Sequence, residues 1–256
     1  VNGSGEIAKA PDETPSLARI IDYFLGGYRN FAVDRAVAED LARSDPNFPL
    51  VVRVNRAFLR RSVRFLAEQG IDQFLDLGSN ITSVGNVHDV AQQVNPTARV
   101  VYVESDPAVV QHSRTLLEDQ PAVSVVQADI FQPEAILAHP EVRRGLDFTR
   151  PLAVLLLAVL HFLPDDAQAL HLVRMLCDAM PSGSYLALSH GTTWVEHPSR
   201  AGKARSREEI AAFFEGLELV EPGLVYAPHW RPEDKADPLL EAPEQSLALA
   251  GVGRKP

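Results

Sequence analysis

Cysteine is nearly absent from this chain. A single Cys177 in 256 residues excludes a disulfide framework and any multi-cysteine zinc site. Set within an apolar helical stretch, that thiol reads as core. Lysine is scarce too, with only Lys9, Lys203, Lys235 and Lys255 among 24 basic residues; the bias toward arginine speaks of codon usage more than function. Long apolar runs are missing. The longest, Leu152–Leu160, is strand-sized and falls short of the roughly 18–20 residues of a membrane span. The opening VNGSGEIAKAPDETPS lacks the apolar stretch of a signal peptide, so the cytoplasm is the expected location. Excess positive charge is also lacking: a net charge of −10 repels a phosphate backbone and disfavours nucleic acid as the main partner. No metal is expected, because the Asp and His residues show no ligand spacing. What is present is a 46% hydrophobic chain, long enough to bury roughly 70–75% of its unfolded surface without staples.

Residues 1–15 are small, polar and rich in Pro and Gly, which predicts a disordered tail. Residues 16–70 carry three helical patterns, the first with Leu17, Ile20, Ile21, Phe24 and Leu25 at three-to-four spacing before Gly26-Gly27. A second covers about 34–43 and a third about 50–69, and together they predict a helical cap on the ligand edge of a sheet. From residue 71 to 256 the rhythm changes. Five apolar strands are expected at QFLDL (73–77), RVVYVE (99–104), VSVVQ (123–127), LAVLLLA (152–158) and Tyr185–Ser189, alternating with helices as in a doubly wound parallel α/β sheet. Two final strands near 217–227 and 246–252, with no helix between them, predict an antiparallel end pair. The acidic, Pro-rich stretch 227–245 reads as a surface loop.

Polar residues stand at three consecutive strand ends: Asp76 with Gly78, Glu104 with Asp106, and Asp129. Ligands in such sheets bind beyond these ends. A Gly after the first strand lets backbone approach a ligand closely. An acid after the second can accept both ribose hydroxyls, and one after the third an adenine amino group. Any one of these acids alone is ordinarily solvated or capping a helix; three in register describe an adenosine. A nicotinamide dinucleotide wants G-x-G-x-x-G against its pyrophosphate, a spacing that Gly78-Ser79-Asn80-Ile81-Thr82-Ser83-Val84-Gly85 lacks. S-adenosylmethionine has no phosphate and needs one close Gly with an acid for its ammonium, so the loop favours S-adenosylmethionine. The strand-end loops add Ser79, Asn80, Ser105, Ile130 and Ala158 to the expected cofactor-binding set.

With these residues in view, the chain resembles the class I S-adenosylmethionine-dependent methyltransferases. It is most similar to a family of S-adenosyl methyltransferases long carried as a domain of unknown function. The resemblance rests on ARIIDYFLGGYRNFAVDR (18–35), VNRAFLRRSVRFLAEQGIDQFLDLGS (54–79), GNVHDVAQ (85–92), VVYVESDP (100–107), LLLAVLHFLPD (155–165) and AGVGRKP (250–256). It implies the seven-stranded methyltransferase sheet, S-adenosyl-L-methionine as cofactor, and Asp76, Gly78, Glu104 and Asp129 in the roles above. The chain departs from the family pattern at Asn80 and Thr82, where Gly and Pro are usual, and at Glu104, where Asp is commoner. The Asn80 side chain would intrude on the cofactor's methionine end, which raises a non-catalytic binding protein as the alternative; a nicotinamide-dependent oxidoreductase is a third reading.

Other candidates follow from placement. Asn86 and His88, in the helix after the glycine loop, could reach the cofactor or simply cap that helix. His161, after the fourth strand, and His190, ending the fifth, could each act as general base or be hydrogen-bonded structural histidines. Arg19, Tyr23, Gly26, Gly27, Asn30 and Phe31 could form a lid over the sulfonium, or a helix C-cap with a packed Phe. Arg53, Arg56, Arg60 and Arg64, with Arg61 beside them, read as a solvated helix face. A fourth strand ending in AVLH lacks the Asn/Asp-Pro-Pro-aromatic signature of DNA-amine methyltransferases. The function expected is methyl transfer to a small-molecule acceptor by in-line displacement.

Overall fold

A computed structural model describes residues 14–78, 85–193, 202–235 and 237–256. Most of the expected tail, and Ser79, Asn80 and Thr82, lie outside the described residues. Five strands, β1 (Gln73–Leu77), β2 (Arg99–Glu104), β3 (Val123–Gln127), β4 (Ala153–Leu157) and β5 (Tyr185–Gly191), run parallel in the order 3-2-1-4-5. β1 and β4 are buried along their whole length, which explains why β4 is apolar on both faces and β1 is apolar but for Gln73 and Asp76. The expected strand near 217–227 is instead two short pieces, β6 (Glu218–Leu219) and β7 (Val225–Tyr226), interrupted by Pro222-Gly223. Both pair antiparallel with β8 (Ala248–Arg254), which itself pairs antiparallel with β5. The sheet therefore has eight strands where seven are expected.

Helices cover both faces. α1 (Leu17–Phe24) and α2 (Ala32–Ser44) lead into α3 (Phe48–Glu68). Ile20, Ala38, Leu41, Phe48 and Val52 make a small core of their own. Further along, α3 joins the sheet: Phe58, Val63 and Leu66 share a cluster with Phe74, Val100 and residues of α4 (Val87–Val94) and α5 (Pro107–Leu116). The opposite face is packed by α6 (Pro133–Ala138), α7 (Pro140–Gly145), α8 (Asp166–Ala179) and α9 (Arg207–Ala211) against Leu75, Val101, Val154 and Leu186. Full burial of each such side chain stabilises by about 1.5–3 kcal/mol. α6 and α7 were not expected as separate helices; each opens with Pro in its first turn, a sign easily read as a loop. A Ser206–Glu209 capping box opens α9, which ends at Ala211 and tightens into a 3-10 turn over Ala212–Phe214.

The stretch after β7 is not simply a surface loop. Trp230 is fully buried, packed edge-on against Phe58 and Phe65. Arg61 holds that segment by donating to the carbonyls of Trp230 (2.8 Å) and Ala227 (2.7 Å), and Arg64 pairs with Glu233. The arginine stripe of α3 is thus only partly solvated. Cys177 is half-buried in α8 among the neighbours of the second cluster, and burial raises its thiol to about 12.

Candidate active site

The strand order reverses between β1 and β4, and a cavity of about 380 Å³ opens beyond their carboxyl ends. Such a switch point is where doubly wound sheets bind ligands. Asp76, Gly78, Ala158, His161 and His190 all line it. The side chains of α1 and α3 roof it with Leu17, Ile21, Phe48, Val51, Val52 and Leu59.

Asp76 sits in the middle of the sheet, opposite Tyr102 of β2 and Leu155 of β4. Its carboxylate is 3% exposed and accepts no hydrogen bond from any described residue. Burial pushes it up to about 7, Arg56 opposing and Glu104 adding to the rise. A buried carboxyl lining a cavity without a donor is a site waiting for one. Arg56 lies on the same wall. It is buried rather than solvated, as its place in the stripe suggested, and donates to the Gly85 carbonyl at 3.1 Å. Its position one turn from Val52 and Leu59, both inward-facing, was the signal that could have found it.

Gly78 has φ +74, and a Cβ there would stand 2.8 Å from Val159 Cγ2 and 3.6 Å from Ile130 Cδ1. Only glycine fits this turn, which brings the backbone to the cavity edge.

The next two acids sit differently. Glu104, half-buried at the end of β2, turns Oε1 back onto the backbone N–H groups of Ser105 (2.8 Å) and Asp106 (3.3 Å). Its Oε2 accepts nothing among the described residues, and burial raises its pKa. Asp106 caps α5, accepting from Ala108 N–H and Val109 N–H. Asp129 is exposed and accepts from Phe131 N–H at 2.9 Å. None of Glu104, Ser105, Asp106 and Asp129 lines the cavity that holds Asp76.

The two histidines part company. His190 is buried with its Nδ1 against the Gly191 carbonyl (2.8 Å) and its Nε2 against an Arg205 N–H (2.9 Å). Donating at one nitrogen and accepting at the other, the ring is a neutral imidazole, and burial beside Arg205 lowers its pKa to about 4. Both ring nitrogens are engaged and the one lone pair accepts from Arg205, so the geometry removes His190 as a base. Arg205, itself 2% exposed, also donates to the carbonyls of Leu160 and Leu163 and to Asp166. It clamps the 3-10 turn Leu160–Phe162 that carries His161. His161 is half-buried at the cavity wall, its ring 5.7 Å from that of His190.

Other expected residues are occupied elsewhere. Asn86 is the N-cap of α4, bonded through its own N–H and amide to Asp89. His88 is locked by the buried Tyr102 hydroxyl at 2.7 Å and by Asp89. The Gly26–Phe31 loop is wound on two buried acids that sequence reasoning missed. Asp22 accepts from Arg29 N–H and Asn30 Nδ2, and Asp34 from Arg19 Nε, Ser16 N–H and Phe31 N–H. A Cβ on Gly27 would meet the Asp22 carboxylate at 2.2 Å. Tyr23 packs on Phe24. Arg19, Asn30 and Phe31 line a separate cleft of about 730 Å³ against α5, with His112 and Gln111 opposite, and not the cavity of Asp76. Asn55 and Ser189 were also missed; both line that cavity, bonded to each other at 2.5 Å. Among the described residues no cluster of His, Cys, Asp and Glu could hold a metal, and no helix is long and apolar enough to cross a membrane.

Comparison with solved structures finds the same architecture repeatedly. A candidate methyltransferase from Thermobifida fusca YX is 44% identical over 94% of this chain and 95% of its own, with a TM-score of 0.85. A DUF574 family protein from Streptomyces avermitilis MA-4680 is 39% identical over 96% and 99%, with a TM-score of 0.84. More distantly, the N-methyltransferase NodS from Bradyrhizobium japonicum WM9, solved with S-adenosyl-L-homocysteine, shares the fold at 14% identity over 93% and 99%, with a TM-score of 0.51. A comparison with curated proteins finds no match. The family described as S-adenosyl methyltransferase matches residues 6–256. The chain belongs to the S-adenosyl methyltransferase family, and its sheet is that of the class I methyltransferases.

Proposed function

We propose that this protein transfers a methyl group from S-adenosyl-L-methionine to a small-molecule acceptor by in-line displacement. The observation that carries the reading is the presence, in the lining of one cavity, of a buried carboxylate with no donor among the described residues, Asp76, and a buried guanidinium, Arg56. An α-amino acid presents an ammonium and a carboxylate, the complement of that pair. NodS, of the same fold, is solved with S-adenosyl-L-homocysteine, which supports such a ligand at this edge. When bound, the cofactor supplies a methyl on a sulfonium; the acceptor's lone pair makes the new bond as the C–S pair returns to sulfur, and the acceptor's proton leaves.

In this reading Asp76 holds the ammonium and Arg56 the carboxylate. Gly78 admits the chain between them. Glu104 keeps Oε2 for the ribose hydroxyls, its Oε1 being fixed by the Ser105 and Asp106 N–H groups. Asp129 and Ile130 take the adenine, by amino group and apolar edge. His161 receives the acceptor's proton, and the Arg205 clamp holds its turn in place. Much of the rate can come from alignment in a site that excludes water, since no covalent intermediate is needed.

Asn80 favours one other reading, a protein that binds the cofactor or its demethylated product without turnover. Calorimetry with S-adenosylmethionine, S-adenosylhomocysteine and NADH tests the proposal, followed by transfer from methyl-labelled cofactor across hydroxyl and amine acceptors. Binding of both nucleosides and label transfer are expected. Binding without transfer to any acceptor favours the second reading, and NADH binding alone overturns both.

A further inference from the structure

The function above gives no task to the side-chain amide of Asn55, which lines the cavity. Its orientation is set by its hydrogen bond with Ser189. Ala158, with φ +55 at the end of β4, shares its N–H between Ser189 Oγ (3.0 Å) and the Ser189 carbonyl (3.1 Å). The Ser189 hydroxyl donates its hydrogen to Asn55 Oδ1 at 2.5 Å. That turns Oδ1 of Asn55 toward Ser189 and leaves Nδ2 on the other side, where no described residue accepts from it. Asn55 and Ser189 both line the cavity, and Ser189 is 1% exposed. A left-handed non-glycine residue, a buried hydroxyl and a backed amide make a rigid chain that ends in a presented donor.

The surroundings of that donor define what it can hold. The roof is Leu17, Ile21, Phe48, Val51 and Val52, with Phe162 across from it. Among the described residues, three charged ones line the cavity: Asp76 and Arg56, and Asp45, half-buried at the turn between α2 and α3. The roof itself carries no charge.

We propose that the roofed half of the cavity is the acceptor subsite, that it takes an uncharged, largely apolar small molecule of the phenol or alcohol class, and that Asn55 Nδ2 holds the acceptor's oxygen. Asn55 is a specificity-determining residue in this assignment. Its Nδ2–H donates to the oxygen of a neutral group, whereas an anionic headgroup would have to be desolvated against an apolar roof with no cation of its own among the described residues. The assignment rests on the methyltransferase reading for the identity of the other half of the cavity, but the subsite can be probed without turnover.

The test uses the full chain, with and without saturating S-adenosylhomocysteine, and four matched probes: 4-ethylphenol, ethylbenzene, 4-ethylbenzoate and 4-ethylbenzylammonium, with affinities read by ligand-observed NMR titration. The wild type should bind 4-ethylphenol about threefold to tenfold more tightly than ethylbenzene, the worth of one net hydrogen bond, and both charged probes more weakly than either. Asn55→Ala should bring the phenol and ethylbenzene affinities within about twofold of each other, leaving ethylbenzene and S-adenosylhomocysteine binding unchanged. Ser189→Ala, which frees the amide to turn, should reduce the phenol preference without removing a group that touches the probe. Tighter binding of either charged probe, no binding of any probe, or an intact phenol preference in Asn55→Ala overturns the proposal. Lost S-adenosylhomocysteine affinity in Asn55→Ala with the phenol preference intact would assign Nδ2 to the cofactor instead. Failure of S-adenosylhomocysteine to bind the wild type would sink the functional reading alone, because the probe series on the ligand-free protein still decides the subsite.

Discussion

Asp76 gives a pH dependence with a definite sign. Burial and the nearby Glu104 charge raise its carboxyl to about 7 against the pull of Arg56. If the ionised form holds the ligand's ammonium, affinity follows the ionised fraction, which falls nearly tenfold per pH unit below the midpoint. The Kd for S-adenosylhomocysteine should therefore rise about eightfold between about pH 6.5 and pH 5.5 and level off above about pH 7.5, while an α-ammonium stays protonated across the lower window. Calorimetry across that range reads it directly. Asp76→Asn should remove most of this slope and weaken binding about 10- to 150-fold at alkaline pH, the worth of a charge-assisted hydrogen bond. Glu104→Gln is the control, because Glu104 is also raised by burial. Linkage fixes a second sign. A folded-state pKa above the unfolded 3.8 means the native state holds the proton more tightly, so stability is lost as pH rises from about 4 through about 7. The ligand-free Asp76→Asn protein should then be more stable than wild type at about pH 8, by up to about 4 kcal/mol. A wild-type Kd that is flat with pH, or a slope that survives Asp76→Asn, would refute the assignment.

Three further outcomes are expected. Glu104→Ala should weaken S-adenosylhomocysteine binding by about 1–3 kcal/mol in the same calorimeter, with little change in urea midpoint, since Oε1 serves a loop and Oε2 the ribose. Gly78→Ala forces an L residue to φ +74 with its Cβ 2.8 Å from Val159, and should cost about 1–3 kcal/mol in urea unfolding together with ligand affinity. Arg205→Met strands the carbonyls of Leu160 and Leu163 and the His190 ring; a loss of about 3 kcal/mol or more is expected from chemical denaturation, and a loss within 0.5 kcal/mol, the usual range for surface changes, would show the clamp to be dispensable.

The parallel half of the sheet was readable because buried strands carry apolar runs, as β4 does throughout and β1, β2 and β3 do apart from Gln73, Asp76, Arg99, Glu104, Ser124 and Gln127. The antiparallel end was harder. β6 and β7 are two residues each, too short for any period to show, and only their shared partner β8 makes them strands. α6 and α7 open on prolines that elsewhere mark loops. At the site, Asp76, Gly78 and His161 could be placed from strand ends alone, since the chain order of a doubly wound sheet sends those ends to one edge. Arg56 was harder, because one helix face looked uniformly basic and only its spacing from Val52 and Leu59 hints that the packing of α3 turns it inward. His88 and His190 were read by type and position, whereas their engagement depends on Tyr102 and Arg205, partners 14 and 15 residues away. Asp22 and Asp34 escaped notice for a similar reason: acids in a helix ordinarily face water, and these two are buried because the loop between α1 and α2 folds back to donate to them.

A crystal structure of the full chain with S-adenosylhomocysteine tests the assigned site most directly. The ligand's ammonium should lie within about 3 Å of the Asp76 carboxylate, its carboxylate against Arg56 and its ribose hydroxyls on Glu104 Oε2. Density for the ligand with Asp76 and Glu104 both out of contact would contradict the site.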